Sequence, residues 1–233
     1  MGISIIIPAH NEAETIKSTV TGFLRGFPDA EIIVVDDGST DGTFGEVESI
    51  RSKKVKIVRQ KRSGKGAAVM SGVSIAGERL VAFVDADGAF GVGSLKTLVE
   101  KLNGYDCVIA SKWKGQKFAD VEGGAAKKVF GRLWNLLSRI LLGLEFEDTQ
   151  AGLKLFRATA IKKTGASLIG KGFEFDAEIL YKLKRSGFKI REVFVRPKNT
   201  KKSRFSYLNI PFMFLNMLAM AVALKLFSKY GKR

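Results

Sequence analysis

The sequence predicts a doubly wound α/β domain on a mostly parallel sheet, and three observations lead there. Short apolar runs rich in Val, Ile and Phe recur along the chain, each followed by a segment that suits a helix, the alternation of βαβ units. The runs are apolar throughout, as strands covered on both faces are. They also end on carboxylates and glycine, most clearly in residues 80–88, Leu-Val-Ala-Phe-Val-Asp-Ala-Asp-Gly. Ligands of open α/β sheets bind beyond the carboxyl ends of the strands, so Asp85 and Asp87 are expected to face a crevice. There a divalent cation carrying phosphate oxygens would balance them. A solvated surface Asp-x-Asp turn has the same letters.

Taken in order, residues 3–8 form the first strand, and Asn11 with Glu14 has N-cap spacing for a helix running to about Phe23. Residues 31–36 repeat the pattern and close on Asp36, Asp37, Gly38 and Ser39, before a helix through Val47 and Ile50. Residues 55–58 give a third strand. The turn Ser63, Gly64, Lys65, Gly66 then leads into a small-residue helix over 67–75 that can lie close to the sheet. After the central strand, Ser94 is expected to cap a helix to Leu102, and residues 106–111 give a fifth strand ending at Lys112 and Trp113. The glycines match neither a P-loop nor a dinucleotide fingerprint.

Residues 114–124 read as a polar loop. Over 125–144, Phe130, Leu133, Leu137, Ile140, Leu141 and Leu144 recur at helical spacing, with Lys128, Arg132, Asn135 and Arg139 on another face. A helix packed on the core and a helix lying in a lipid headgroup layer both fit that pattern. A polar turn over 147–152 precedes a short strand over 153–156, then a helix over 173–183 and an edge strand over 189–196. Residues 205–224 are 20 in a row without a charge, flanked by Lys201, Lys202 and Arg204 and by Lys225, Lys229, Lys232 and Arg233. That length would cross a bilayer. Basic residues on both sides favour instead a segment lying in or re-entering the interface, ahead of a span, and a span ahead of a buried core helix. Residues 1–204 are thus expected to be the main domain and 205–233 a membrane-associating tail.

The 233 residues suit one large α/β domain, and 39 Lys and Arg against 23 Asp and Glu leave a net charge of +16. Such a balance implies anionic partners: nucleic acid, an acidic membrane or phosphorylated small molecules. One cysteine, Cys107, excludes an internal disulfide, and one histidine, His10, excludes a multi-histidine metal site. No basic leader precedes the first strand, so the catalytic part is expected in the cytosol.

Two acidic strand ends beside a Lys-bearing turn suit a nucleoside diphosphate. One carboxylate of the set would hold base or ribose hydroxyls, another a Mg²⁺ or Mn²⁺ ion, and Lys65 or Lys112 would meet phosphate charge. At this point the chain resembles the inverting family 2 glycosyltransferases of the GT-A fold, and more narrowly the polyprenyl-phosphate (dolichyl-phosphate) hexose synthases. The matching segments are residues 5–12 (Ile-Ile-Ile-Pro-Ala-His-Asn-Glu), 34–40 (Val-Val-Asp-Asp-Gly-Ser-Thr), 64–69, 85–89 (Asp-Ala-Asp-Gly-Ala), 148–156 and 172–178, with Ser203 and Arg204.

The resemblance implies roles. Pro8, His10, Glu12, Val35, Asp36 and Asp37 would serve the base and ribose of the donor. Asp85, Ala86 and Asp87 would serve ribose, metal and diphosphate, with Asp85 and Asp87 as the metal pair. Lys112 stands where the family usually has Arg, and Arg204 where it has Lys, two side chains of different hydrogen-bond geometry. Ala89 and the 148–156 segment are similar to the glucose branch, which implies UDP-glucose ahead of GDP-mannose. An ionised lipid phosphate needs no base to attack, only positive charge and apolar surface, and Lys127, Lys128, Arg132 and Arg204 border the apolar segments. The implied product is a polyprenyl-phosphate hexose made at the cytosolic membrane face. Two other readings stand beside it. A saccharide hydroxyl acceptor would need a base, Asp148 or Glu174. A non-catalytic basic module would explain the charge, but the basic regions lack the interleaved aromatics of a nucleic-acid platform.

Overall fold

The computed structural model describes residues 2–121, 124–165, 167–170, 172, 174–198 and 210–230. Seven strands, β1 (Ile3–Ala9), β2 (Glu31–Asp37), β3 (Val55–Gln60), β4 (Leu80–Val84), β5 (Cys107–Ser111), β6 (Leu153–Arg157) and β7 (Ile190–Phe194), form one sheet in the order β3-β2-β1-β4-β6-β5-β7. Side chains alternate between its faces. Ile5, Ile7, Leu80, Ala82 and Val84 pack with α1 (Ile16–Gly26), α2 (Thr43–Glu48) and α4 (Val92–Glu100). Ile6, Val81 and Phe83 pack with α3 (Lys65–Ile75), α5 (Ala125–Leu142), α6 (Ala158–Gly165), α7 (Phe175–Arg185) and α8 (Ile210–Tyr230). Helices on both faces explain why the strands are apolar throughout.

The sheet is mostly parallel, as the sequence predicts, with one reversal: β6 runs antiparallel to both β4 and β5. The register Val84↔Leu153 puts the beginning of β6 beside the end of β4. The connection through α5 starts and ends at the same edge of the sheet, the end of β5 and the start of β6, whereas an ordinary βαβ crossover returns the chain to the opposite edge.

Local expectations are corrected at two helix starts. Asn11 does not cap α1; it sits in the left-handed region (φ 56°), where Thr15 is the cap. Its amide N–H donates to Ser39 Oγ at 2.9 Å, and its Oδ1 accepts the Thr40 N–H at 2.8 Å, so its capacity goes to the neighbouring loop. Ser94 lies inside α4, which begins after Gly91.

α8 lies along α5 and buries Met213, Met217, Met220, Ala221 and Leu224 in the core, while Phe212, Leu215, Leu218 and Val222 face outward. It is therefore half-buried, not the wholly buried core helix that was one of the sequence's three readings. Among the described residues, no helix is long and apolar enough to cross a membrane.

α3 packs close to the sheet through glycine. A Cβ at Gly72 would stand 2.5 Å from Ile6 Cγ2, inside contact distance, whereas one at Gly22 in α1 would meet nothing within 4 Å. Gly72→Ala is expected to lower stability by about 1–3 kcal/mol through overpacking, and Gly22→Ala to raise it by about 0.5–1 kcal/mol. Urea unfolding of the two variants against the parent checks the opposite signs.

Candidate active site

The chain winds outward from β1 through β2 and β3, then returns to place β4 on the other side of β1. Such a reversal leaves a crevice at the carboxyl ends of the strands. Asp85 and Asp87 follow β4 at that rim, and the reversed β6 brings Asp148 and Gly152 to it from the opposite direction. Together they line a cavity of about 280 Å³, with Lys65, Lys112 and Asp176 as its other charged walls and Trp113, Phe130 and Met213 as apolar ones. Asp87 Oδ1 accepts the Ala89 N–H at 2.9 Å, which fixes the turn after β4. The Asp85 N–H donates to Gly152 O at 2.8 Å, and a Cβ at Gly152 would stand 2.0 Å from Asp85 Oδ2. Glycine at 152 therefore makes room for the Asp85 carboxylate.

A chain of alternating charges runs from the core to this cavity. Lys154, wholly buried in β6, pairs with Asp176 of α7 and donates to Ala151 O at 2.9 Å. Asp176 also holds Lys65 Nζ at 3.1 Å, and Lys65 Nζ lies 2.9 Å from Asp85 Oδ1. Burial alone would raise the Asp176 pKa, but Lys154 and Lys65 outweigh it and hold the carboxylate below its usual range. Burial would likewise depress Lys65, and Asp176 and Asp85 reverse that, keeping it protonated. Both ammoniums lie over the Phe83 ring, at 5.4 Å for Lys65 and 5.0 Å for Lys154.

Asp148 is the other buried acid. Burial pushes it up to about 6, against the opposing pull of Lys112 and Lys154. Its Oδ2 accepts the Lys112 N–H at 3.2 Å, and its own N–H donates to Glu192 Oε1 at 2.8 Å. Glu174, the other base named from the sequence, accepts the Gly172 N–H at 3.0 Å and is not on the cavity wall.

The carboxylates of the second acidic strand end are buried and engaged by their own loops. Asp37 is buried; its carboxylate accepts from Gln60 Nε2 (2.8 Å), Ser63 N (2.7 Å) and Gly64 N (2.8 Å). It thereby fixes the turn that launches Lys65. Asp36 is also buried, accepting the Ser39 N–H at 2.9 Å, with Arg59 Nε 3.3 Å from its Oδ2. His10 Nδ1 meets Asp37 O at 3.0 Å, and Glu12 Oε2 accepts the Thr15 hydroxyl at 2.8 Å. Val35 and Ala86 are buried, and Ala86 O accepts the Thr19 hydroxyl at 3.1 Å. These residues, with Pro8, do not line the cavity that holds Asp85 and Asp87. The loops after β1 and β2 are stapled to one another on the same carboxyl edge of the parallel sheet.

Of the basic residues assigned to the acceptor, Lys112 is on the cavity wall. The Arg132 guanidinium lies 4.3 Å over the ring of Trp113, a cavity-wall residue. Lys128 Nζ donates to Phe118 O at 3.1 Å. Arg204 and the side chain of Lys127 lie outside the described residues. The structure adds Lys154, Asp176, Gln150 and Gly152, which the sequence reading did not single out. A lone Lys inside the apolar run Leu153-Lys154-Leu155-Phe156 was the available signal for the first. Arg59 pairs with Asp36 and lies 5.4 Å over Phe44.

The model of the family described as glycosyl transferase family 2 matches residues 4–165, which include β1 to β6 and every carboxylate named at the cavity except Asp176. The chain belongs to that family. This glycosyltransferase is 30% identical over 201 residues to an undecaprenyl-phosphate mannosyltransferase of Micrococcus luteus, covering 83% of this chain and 82% of the relative. It is 29% identical to a polyprenol monophosphomannose synthase of Mycolicibacterium smegmatis, over 81% of this chain and 74% of that one. Among solved structures, glucosyl-3-phosphoglycerate synthase from Mycobacterium tuberculosis, in complex with Mn²⁺ and UDP-glucose, shares the fold. Its TM-score is 0.71 at 20% identity, over 94% of this chain and 78% of that one.

Two predictions test the electrostatics. An acid whose folded pKa lies above its unfolded value carries no cost below about pH 4, and the full cost above the folded value. Asp148→Asn keeps an acceptor for Lys112, so it is expected to stabilise the enzyme by on the order of 2–3 kcal/mol at pH 7.5 and to change little at pH 4. Melting temperatures at the two pH values check this. Asp176→Ala strands the buried Lys154 ammonium and is expected to cost about 3–5 kcal/mol, read by urea unfolding at pH 7.5.

Proposed function

We propose that the enzyme transfers a hexose from a nucleoside diphosphate sugar to a polyprenyl phosphate at the cytosolic face of a membrane. One observation carries this reading. The cavity that begins at Asp85, Asp87 and Lys112 continues to Phe130 of α5 and Met213 of α8, two helices whose outer faces are apolar. Val129, Leu133, Leu136 and Ile140 on α5, and Phe212, Leu215, Leu218 and Val222 on α8, are all exposed. Apolar groups gathered in that number on an outer surface suit a lipid layer. A polyprenyl chain lying there would place its headgroup phosphate at the mouth of an acidic, metal-suited site. The names of the two relatives support the same acceptor class.

Asp85 and Asp87 fit a Mg²⁺ or Mn²⁺ ion that is shared with donor phosphates, since Mg²⁺ uses one or two carboxylates plus substrate oxygens. Among the described residues no group of three or more His, Cys, Asp or Glu is placed to hold a metal unaided. When bound, the ion would neutralise charge on the departing nucleoside diphosphate. The chain's own part is positioning. Lys112 faces the cavity where an incoming phosphate would be drawn, and Phe130 and Met213 exclude water on that side. Attack by the phosphate opposite the leaving group inverts the anomeric centre. Support for the sugar divides: the 85–89 and 148–156 segments favour UDP-glucose, and the relatives' names favour a mannose donor.

Asp148, a cavity-wall acid with its pKa raised to about 6, favours a second reading in which a saccharide hydroxyl is the acceptor and Asp148 its base. One assay separates them. Labelled UDP-glucose and GDP-mannose are supplied with polyprenyl phosphate in vesicles and Mn²⁺, and label is followed into an organic-extractable product. Lipid-linked label from one donor is expected, with Asp87→Asn reducing it by at least about 100-fold and Asp148→Asn retaining most of it. Label in a soluble saccharide with a 10²–10⁴-fold loss in Asp148→Asn, roughly the range for a lost base, would favour the second reading. Near-normal turnover in Asp87→Asn would remove the metal assignment.

A further inference from the structure

We infer that Lys65 is a built-in counter-ion of Asp85, so that metal alone binds weakly and metal and donor diphosphate load together. This rests on the proposed reading of Asp85 and Asp87 as the metal-holding pair. Lys65 Nζ lies between two carboxylates, 2.9 Å from Asp85 and 3.1 Å from Asp176. Its position is fixed from both ends. Asp37 holds the Gly64 N–H one residue earlier, and Asp176 is anchored behind the ammonium by the buried Lys154. Asp85 has Gly152 packed against its other side. A cation arriving at Asp85 therefore meets a carboxylate that already has a partner, and that partner is held in place by Asp176.

The charge balance points the same way. Lys65 and Lys154 match Asp85 and Asp176, so that cluster is neutral as it stands. A divalent ion entering alone would find Asp87 and Asp148 as the other acids of the wall, with the ammoniums of Lys65 and Lys112 also facing the cavity. Repulsion between like charges in a partly buried site is costly. A nucleoside diphosphate sugar carries two negative charges on its diphosphate and cancels the ion's two positive ones, so the pair enters without net charge. Once the ion draws on Asp85, the Lys65 ammonium remains tied to Asp176 with its outer side turned toward the diphosphate. Lys65 is thus a positioning residue that makes metal binding conditional on donor.

The test titrates Mn²⁺ into the full chain and reads free Mn²⁺ by electron paramagnetic resonance, with and without UDP or GDP. Wild type is expected to bind Mn²⁺ at least about tenfold more tightly with its nucleotide than without. Lys65→Met is expected to bind Mn²⁺ alone about tenfold more tightly than wild type and to lose most of the nucleotide-induced gain. Lys65→Arg, which keeps the charge, should stay weak for metal alone. Lys65→Met binding Mn²⁺ no more tightly than wild type, with an unchanged melting curve, would overturn the inference and leave the metal-dependent transferase standing. Wild type binding Mn²⁺ equally well with and without nucleotide would overturn it without any variant. Absence of Mn²⁺ binding even with nucleotide would remove the underlying metal reading and this inference with it.

Discussion

The structure depends on a carboxylate held between two lysines. Asp176 sits in the core with Lys154 on one side and Lys65 on the other, and it joins β6, α3 and α7 at one point. Buried ion pairs contribute little net stability, because desolvation offsets most of the attraction. What such a cluster does supply is position. An ammonium that leaves its carboxylate inside the protein loses several kcal/mol of pairing with nothing to replace it, roughly the scale on which buried charges are penalised. So α3 cannot slide along the sheet without breaking the Lys65 contact, and β6 cannot shift register without withdrawing Lys154. The rim carrying Asp85 inherits that rigidity through the last link of the chain, Lys65 to Asp85.

The antiparallel entry of β6 is the second constraint, and it explains why the site is where it is. A parallel strand in that place would present its carboxyl end at the rim and send the 148–152 turn to the opposite edge of the sheet. Reversed, β6 delivers Asp148, Gln150 and Gly152 against Asp85 and Asp87. The Asp85 N–H to Gly152 O bond is the seam between the two halves. The same long connection that allows the reversal contains α5, so the helix with the apolar outer face and the turn with the buried acid arrive as one unit.

Much of this was legible in the letters. Continuous apolar runs such as Ile-Ile-Val-Val and Leu-Val-Ala-Phe-Val leave a buried parallel strand as the natural reading, and their acidic ends locate the crevice. Direction was not legible. Residues 153–156 read as a strand in either orientation, because burial on both faces erases the alternation that would distinguish its environment. Nor was the division of labour among acids visible. Asp37 and Asp87 each stand at the carboxyl end of a strand run and precede a glycine, yet Asp37 spends both oxygens on the backbone of 63–64 and on Gln60 while Asp87 lines the cavity. That difference comes from a loop 26 residues away in sequence closing over Asp37. Asp176 lies on a helix that the sequence predicts, but its role needs Lys65, which is 111 residues distant.

The apolar outer faces bear on how such a site chooses its acceptor. A cavity open to water admits any soluble hydroxyl that fits, and a base such as Asp148 would then activate one. Here the wall opposite the carboxylates is made by Phe130 and Met213, with Trp113 beside them and Arg132 stacked on its ring. A sugar hydroxyl brings no charge to such a wall and must still lose a proton during attack. A phosphate on a hydrocarbon chain arrives ionised, is attracted by the net charge of +16, and leaves its chain on the surface that α5 and α8 share. On the proposed reading, acceptor choice is then decided by which molecule can lie along two helices while its anionic end reaches the cavity. The raised pKa of Asp148 becomes a by-product of burying the turn that shapes the rim.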